Sequence, residues 1–310
     1  MTNIIQKQIK QFQKEILEWY KVNKRNLPWR SDREPYHILI SEVMLQQTQV
    51  GRVIPKFNEW IKLFPTVQSL AKASTADVLR AWSGLGYNRR AIYLKKSAEK
   101  IVNYSSNEVR SSRIRSNNKE ILNQVQDDET RDVLWPKTEK ELRKLPGIGE
   151  YTARAILCFA FNEQIAVVDT NIRKVILTRI KNYELGIKQK KTDSGQARMT
   201  KKEVQEIAEM LLPKGKAYEW NQALMDYASS RLRHIKIGFG EAKQSTFKGS
   251  NRYYRGYIMK ALVTENSLTI SEIHKRLENE ISKEKLEEII KGLIKEGMIE
   301  RDRQVLRISN

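Results

Sequence analysis

Two carboxylates in this chain, Glu42 and Asp169, have sequence surroundings that suit acid–base chemistry. Glu42 falls on an apolar helical stripe with Ile38, Leu39 and Leu45, which predicts that its side chain is buried. Burial raises the pKa of a carboxyl group, so the group can stay protonated near neutrality. Asp169 follows two valines at the start of a predicted helix, where a simple helix N-cap would also explain it. One poised acid and one ionised carboxylate can cleave a glycosidic bond, although nothing in the spacing brings the two together.

A glycine-rich turn precedes Asp169 by one predicted helix. Its sequence, Leu145-Pro-Gly-Ile-Gly-Glu-Tyr-Thr-Ala153, places Gly147 and Gly149 between two helices. Glycines permit a positive φ and a close backbone approach, and N–H groups exposed ahead of a helix suit a phosphate oxygen. A dinucleotide-binding turn is excluded because the third glycine and the preceding strand are missing. A helix C-cap with an ordinary turn is the simpler alternative to a hairpin that grips a nucleic-acid backbone.

Helical periodicity dominates the chain, so the predicted fold class is mainly α. The predicted helices cover 5–22, 35–50, 74–82, a short segment after Thr138 that ends at Pro146, a segment from about Tyr151, and 172–180. Two polar segments interrupt the pattern, at about 104–131 and 185–201, and we interpret both as solvated insertions.

The composition changes after Tyr227, and residues 235–251 are predicted to be a linker. Residues 252–310 show three helical patterns, at 252–263, 270–279 and 282–296, followed by an alternating stretch. Three helices and a terminal β-ribbon predict a winged-helix-like domain. A small helical dimerisation or packing domain is the alternative.

The charge of the chain indicates a polyanionic partner. The 310 residues include 57 Lys and Arg against 37 Asp and Glu, a formal net charge of +20. Residues 231–310 hold 17 basic and 11 acidic residues, so most of the excess belongs to 1–230. Ribosomal or membrane-surface binding would also fit this charge. No apolar run is long enough to span a membrane and the polar N-terminus is not a signal peptide, so we expect a cytoplasmic protein without membrane contact.

Several motifs occur in an order that identifies a family. They are Leu27-Pro-Trp-Arg30, Ser41-Glu-Val-Met-Leu-Gln-Gln-Thr-Gln-Val50, Gly84-Leu-Gly-Tyr87, the glycine-rich hairpin, Phe161, Val168-Asp-Thr-Asn171 and Asn221-Gln-Ala-Leu-Met-Asp226. Together they resemble the helix-hairpin-helix (HhH-GPD) DNA glycosylases, and among these the MutY-type adenine glycosylases. The resemblance implies a two-lobed helical core over residues 1–234, ahead of the winged-helix-like domain.

The resemblance also implies a mechanism in which a mismatched adenine is flipped into a pocket. Glu42 would protonate the adenine, and Asp169 would stabilise the positive charge that grows on the deoxyribose. Asn171 would position Asp169, Tyr151 would line the site, and Arg30 matches a pocket arginine of the family.

Further positions match residues that contact DNA. Gln47 and Tyr87 correspond to residues that wedge into the base stack, with Thr48 and Leu85 beside them. The hairpin glycines would grip the backbone. The implied partner is double-stranded DNA with mismatched or oxidised base pairs, bound by a monomer.

Tyr151 has a chemical consequence. Bifunctional relatives such as endonuclease III carry a lysine here, whose amine forms a Schiff base and nicks the strand. Because tyrosine has no such amine, the sequence predicts a monofunctional glycosylase that leaves an abasic site.

Two parts of the family pattern are missing. The chain has one cysteine, Cys158, and three histidines, and the stretch 228–236 lacks the expected cysteine quartet. The sequence therefore predicts no iron–sulfur cluster and no other cofactor. The family's C-terminal domain, which inspects the oxidised guanine, is not recognisable either.

Two other functions stay open. A glycosylase that removes thymine or uracil opposite guanine is the nearer alternative, although Gln46-Gln47-Thr48 favours adenine. A non-catalytic DNA-binding protein is the second, and the presence of both Glu42 and Asp169 in their motifs argues against it.

Overall fold

The structure of the protein is a computed structural model that describes residues 3–115, 133–183, 199–235, 246–278 and 280–309. Helices dominate these residues, so the mainly α prediction is confirmed. In chain order they are α1 (Asn3–Asn23), α2 (Pro35–Leu45), α3 (Val50–Leu63), α4 (Val67–Lys72), α5 (Thr75–Trp82), α6 (Arg89–Arg115), α7 (Glu139–Leu142), α8 (Glu150–Phe159), α9 (Thr170–Tyr183), α10 (Lys201–Met210), α11 (Ala217–Arg231), α12 (Asn251–Glu265), α13 (Ile270–Arg276) and α14 (Lys283–Lys295). None of these helices is long and apolar enough to cross a membrane.

Helix α2 is shorter than the predicted helix 35–50. It ends at Leu45, and a turn separates it from α3. Gln47 lies in this turn with a φ of 56°. An L-residue in the left-handed region cannot continue a right-handed helix, so the predicted helix ends at Leu45 and a separate helix, α3, begins at Val50.

Helix α6 is not among the predicted helices, and it extends into the first predicted insertion. It continues to Arg115, and the Leu134 N–H donates to Ser105 Oγ at 3.0 Å, which ties the helix to the returning chain. A polar segment can form a helix because the backbone hydrogen bonds are internal to it. Residues 116–132 and 184–198, which make up most of the two insertions, lie outside the described residues.

The described residues divide into two compact units. The first unit lies within Met1–Ile38, Lys137–Glu139 and Ile148–Glu241. Its core is formed where α11 packs against both α1 and α9. Phe12 and Trp220 are buried there edge to face, with ring centroids 5.5 Å apart and planes at 82°.

The second unit lies within Leu39–Pro136, Lys140–Gly147 and Ala242–Asn310. Helix α6 packs against α4 and α5, and α3 packs against α5. Trp60 and Trp82 are fully buried between these helices, with ring centroids 5.6 Å apart at 82°. Large aromatic side chains at this contact bury much apolar area and set the spacing of the helices.

The C-terminal residues of the second unit contain the protein's described strands. These are β1 (Ser267–Thr269), β2 (Ile299–Asp302) and β3 (Val305–Ile308), antiparallel in the order β1-β3-β2. Helices α12, α13 and α14 occupy the positions of the three predicted helices. The sequence does not predict β1, because three residues are too few to show alternation.

Candidate functional site

The glycine-rich hairpin uses its two glycines differently. Gly147 has a φ of 76°, and a Cβ there would lie 2.8 Å from the ring of Tyr93. Ser97 Oγ donates to the Pro146 carbonyl at 2.9 Å and holds the start of the turn. Gly149 is the N-cap of α8, with φ −90° and ψ −179°. The expectation of a positive φ is therefore right for Gly147 and wrong for Gly149. Because the N-cap residue Gly149 has no side chain, the first N–H groups of α8 have no side-chain cap.

Asp169 lies immediately before α9 and is held by its sequence neighbours. Asn171 Nδ2 donates to Asp169 Oδ2 at 2.8 Å, and the Ile172 N–H donates to Oδ1 at 2.6 Å. Asp169 is thus an N-cap as well as a candidate catalytic group. The residue is half-buried, and desolvation of its carboxyl raises the pKa, while the hydrogen bonds from Ile172 and Asn171 partly offset the rise. Tyr151 is half-buried in the first turn of α8.

Asn221 holds the chain segment that leads to Asp169, a role that sequence reasoning missed. It is buried on α11, and its Oδ1 accepts from the Val167 N–H at 2.9 Å. Its Nδ2 lies 3.1 Å from the Ile165 carbonyl and 2.8 Å from the Ala217 carbonyl, and it donates to both. An asparagine within the apolar stretch of a helix is the sequence signal that indicates such a buried clamp.

Two side chains of the neighbouring helix complete this clamp. Glu209 Oε2 accepts from the Ala166 N–H at 3.1 Å, and Gln205 Nε2 donates to the Ala166 carbonyl at 3.0 Å. The segment before Asp169 therefore has its backbone groups satisfied without belonging to a helix or a strand.

Glu42 lies on α2 and is only 8% exposed, which agrees with its expected place on an apolar stripe. It belongs to the second unit, whereas Asp169 belongs to the first. Its pairing with Asp169 in one site stays a prediction.

Arg30, the predicted pocket arginine, forms an ion pair within the first unit. Its guanidinium donates two hydrogen bonds to the carboxylate of Asp226, each of 2.9 Å, and Arg25 Nε donates to the same carboxylate at 2.6 Å. Burial alone would raise the pKa of Asp226, but the hydrogen bonds and charges of Arg30 and Arg25 hold it below its ordinary value. The pair fixes the guanidinium of Arg30, and its contact with a base stays a prediction.

The predicted wedge residues lie on two loops of the second unit. Gln47 is exposed with a φ of 56°, and Tyr87 is 44% exposed with a φ of 49°. Thr48 is half-buried. Leu85 is only 4% exposed, so its side chain packs inside the protein, and its contact with DNA stays a prediction.

Arg90 joins these two loops, and it is the second residue that sequence reasoning missed. Its guanidinium donates to the carbonyls of Val43, Met44 and Gln46 on one side, at 2.8, 3.1 and 2.6 Å. On the other side it donates to the carbonyls of Leu85 and Gly86, each at 3.1 Å, and it also reaches Thr48 Oγ1 at 3.3 Å.

The aromatic rings beside Arg90 complete this arrangement. The guanidinium carbon lies 5.1 Å from the ring centroid of Trp82 and 5.5 Å from that of Tyr87. Burial lowers the pKa of Arg90 to about 10, so the guanidinium remains charged at neutral pH. A planar group with five donors can bridge two loops in a way that an ammonium cannot.

The residues present do not fit an iron–sulfur cluster. Cys158 is buried on α8, where its Sγ accepts from Asn221 Nδ2 at 3.4 Å. Burial raises the pKa of its thiol to about 12, whereas a cluster ligand must be a thiolate. One cysteine also cannot supply the four ligands that such a cluster requires.

A glycine-rich hairpin between helices, followed by a half-buried aspartate at a helix start, is typical of the helix-hairpin-helix class. The model of the HhH-GPD superfamily of base excision DNA repair proteins matches residues 40–213. The chain belongs to this superfamily, as its motifs indicate.

Several characterised proteins resemble the chain. The adenine DNA glycosylase of Mycobacterium tuberculosis is 42% identical over 162 residues, which cover 52% of this chain and 45% of that protein. The adenine DNA glycosylase of Mycolicibacterium smegmatis is 35% identical over 217 residues, 70% of this chain and 61% of that protein. The chain spans about half the length of the curated relatives it matches.

Solved structures agree on the fold. A thermostable thymine-DNA glycosylase superposes with a TM-score of 0.53 at 26% identity, covering 73% of this chain and 88% of that chain. An endonuclease III–DNA complex superposes with a TM-score of 0.52 at 15% identity, which supports the fold alone.

Proposed function

We propose that the protein is a base excision repair glycosylase that hydrolyses the N-glycosidic bond of adenine mispaired with guanine or 8-oxoguanine. The observation that carries this proposal is the setting of Asp169, a desolvated carboxylate held by Asn171 and by the first turn of α9. The curated relatives named adenine DNA glycosylase support the choice of base.

In the proposed reaction the adenine leaves as its bond to the deoxyribose breaks. The bonding electrons pass to the base, and Glu42 donates the proton that makes adenine a better leaving group. The ionised Asp169 stabilises the positive charge that grows on the sugar. Water then adds to the sugar carbon and releases a proton, which yields free adenine and an abasic site.

We propose that the enzyme has no strand-cleaving activity. Tyr151 stands where the bifunctional relatives carry their Schiff-base lysine, and a phenol cannot form that adduct. Borohydride reduction during turnover should therefore leave no protein–DNA adduct. A trapped adduct would contradict this part of the proposal.

The identity of the removed base has one competitor. A thymine-DNA glycosylase is among the structures that the chain resembles, so removal of thymine or uracil opposite guanine is the second candidate. Gln46, Gln47 and Thr48 favour adenine. Gln47 and Tyr87 are both exposed, which supports the proposed contact of these two residues with a duplex.

The proposed enzyme acts as a monomer in the cytoplasm and needs no iron–sulfur cluster. Its single cysteine is buried and protonated, which supports activity without a cluster. Iron analysis and visible absorbance of active protein test this point. Stoichiometric iron, with loss of activity on its removal, would contradict it.

A duplex panel tests the function as a whole. Otherwise identical duplexes that carry A:8-oxoG, A:G, T:G, U:G or a normal A:T pair are incubated with the protein and then treated with alkali. We expect cleavage at the adenine of the first two duplexes only. Cleavage at thymine or uracil supports the second candidate, and binding without cleavage of any duplex supports the non-catalytic alternative.

A further inference from the structure

The C-terminal part of the second unit carries its positive charge unevenly. The segment 246–264, which includes most of α12, has four basic residues and no acidic residue. The segment 283–296, which includes α14, has four lysines and four glutamates. In a winged helix the third helix is the one expected to enter the major groove, yet α14 itself has four lysines against three glutamates, a net charge of only +1.

The side chains of α14 are also engaged with each other and with the β-ribbon. Lys285 pairs with Glu288 at 2.8 Å, and Glu287 pairs with Arg301 at 2.9 Å. These pairs compensate the charges on this face locally. The acid-free end of α12 is therefore the better candidate for contact with a polyanion.

This end of α12 lies beside the predicted wedge tyrosine. Arg252 Nη1 donates to Tyr87 Oη at 3.3 Å, and both residues belong to the second unit. A second contact supports this placement, because Arg80 of α5 donates to Asn266 Oδ1, just after α12, at 2.8 Å. The C-terminal elements thus contact the loop that carries Tyr87 and the helix α5 that precedes this loop.

The surface around Arg252 is polar and open. Thr246, Lys248, Gly249, Ser250, Asn251 and Arg252 line a depression of about 560 Å³. Phe247 is 63% exposed beside it. Cations next to an exposed aromatic ring are typical of surfaces that bind nucleic-acid backbone and bases.

We propose that residues 246–252, here called the α12 entry surface, bind the phosphate backbone of the duplex next to the Tyr87 wedge, and that Arg252 positions the Tyr87 ring. The inference rests on the proposed function, because it takes Tyr87 to contact DNA. The C-terminal domain then contributes to substrate binding through α12 and not through α14. An acidic protein partner is the alternative occupant. If this surface binds such a partner and not DNA, altering the surface would leave the affinity for DNA unchanged.

The first test compares two double variants of the full chain with equal loss of charge. Lys248→Ala/Arg252→Ala alters the α12 entry surface, and Lys283→Ala/Lys291→Ala removes two exposed lysines from α14. Fluorescence anisotropy measures the Kd of a duplex with a central A:G pair and of a fully paired duplex, at several salt concentrations. Circular dichroism and thermal unfolding establish that both variants are folded.

We expect the α12 variant to bind both duplexes about tenfold more weakly. The slope of log K against log salt should become less steep by about two, because two phosphate contacts are lost. The α14 variant should stay within about twofold of the unaltered protein. Equal affinities for the two variants would overturn the proposal. The fully paired duplex needs no excision, so weaker binding there supports the surface even if adenine removal is not found.

The second test isolates the contact with Tyr87. Tyr87→Phe removes only the hydroxyl that accepts from Arg252. We expect Arg252→Ala to weaken binding less in the Tyr87→Phe background than in the unaltered protein, because the shared contact is already absent. The same weakening in both backgrounds would overturn the positioning role of Arg252.

Discussion

Asp169 in the first unit and the wedge loops in the second unit are positioned in different ways. The carboxylate of Asp169 receives its hydrogen bonds from Asn171 and Ile172, two and three residues further along the chain. Gln47 and Tyr87 lie on separate loops, and one side chain, Arg90, holds both loops: it is close in sequence to the Tyr87 loop but 44 residues from Gln46 on the other loop.

This difference indicates where each site is vulnerable. A group held by its sequence neighbours forms whenever the local helix start forms, because few residues must be ordered together. Loops joined by one half-buried guanidinium depend on a single residue, and its loss leaves several carbonyls without their donor. We therefore expect substitutions at Asp169 to lower the excision rate and substitutions at Arg90 to lower the affinity for DNA.

The largest effect is expected for Asp169→Asn. We expect single-turnover excision to fall by about 10³-fold or more, because the charge that stabilises the sugar cation is removed. Burial raises the pKa of Asp169, so its ionisation costs folding free energy at neutral pH, and the uncharged variant should be at least as stable to heat. DNA affinity should change little. Unchanged excision would contradict the assigned role.

The next effect is expected for Arg90→Ala, with Arg89→Ala as the matched control. We expect a loss of about 2–4 kcal/mol in the free energy of unfolding and a weaker affinity for DNA, because the two loops separate. Arg89 is adjacent, and its side chain is 56% exposed, so its removal should have little effect.

Arg90→Lys distinguishes positioning from charge. An ammonium cannot span both sets of carbonyls, so DNA affinity should stay low even where stability partly recovers. Full recovery of affinity with lysine would show that the geometry of the guanidinium is not needed.

A smaller effect on stability, located in the first unit, is expected for Asn221→Ala. The variant leaves the Val167 N–H without its buried acceptor, which should cost about 2–3 kcal/mol in the free energy of unfolding. Excision should fall while the affinity for a fully paired duplex is kept, because the wedge loops belong to the other unit. Ser229→Ala on the same helix is the control, since its hydroxyl donates to the Asp226 carbonyl three residues earlier and makes no hydrogen bond to the segment before Asp169 among the residues that the structure describes. If Asn221→Ala lowered the affinity for DNA more than the excision rate, the two regions would not respond separately to substitution.

The smallest effect is expected for Asn171→Ala and concerns pH. The hydrogen bond from Asn171 lowers the pKa of Asp169, so its loss should raise that pKa further. Asp169 must be ionised to act, and the acidic limb of the excision rate should therefore move to higher pH. A pH–rate profile measured at saturating enzyme checks this. A limb that stays in place would show that Asn171 does not act through Asp169.

Sequence patterns predicted the mainly α class and several helices, but α3, α4, α6, α10 and α11 were not predicted, and the patterns also failed at particular residues. The periodicity of 35–50 continues across the turn at Gln47, because apolar spacing does not report a backbone φ of 56°. The burial of the Leu85 side chain was not predictable either, because neighbouring helices decide which side of a loop is covered. Arg90 and Asn221 also contact residues about 50 positions away in the chain, and although Asn221 is a polar residue on a buried helix, no local pattern identifies the partners of either side chain.

The sequence by itself determined the family, the mainly α class, the hairpin and the local setting of Asp169. Each of these depends on residues close together in the chain, where turn chemistry and helix capping act. Tertiary structure alone decided the role of Arg90, the clamp formed by Asn221 and the contact of Arg252 with Tyr87. Those interactions join segments that meet only after the helices pack. A buried polar group needs a hydrogen-bond partner, and that burial exists only in the folded chain.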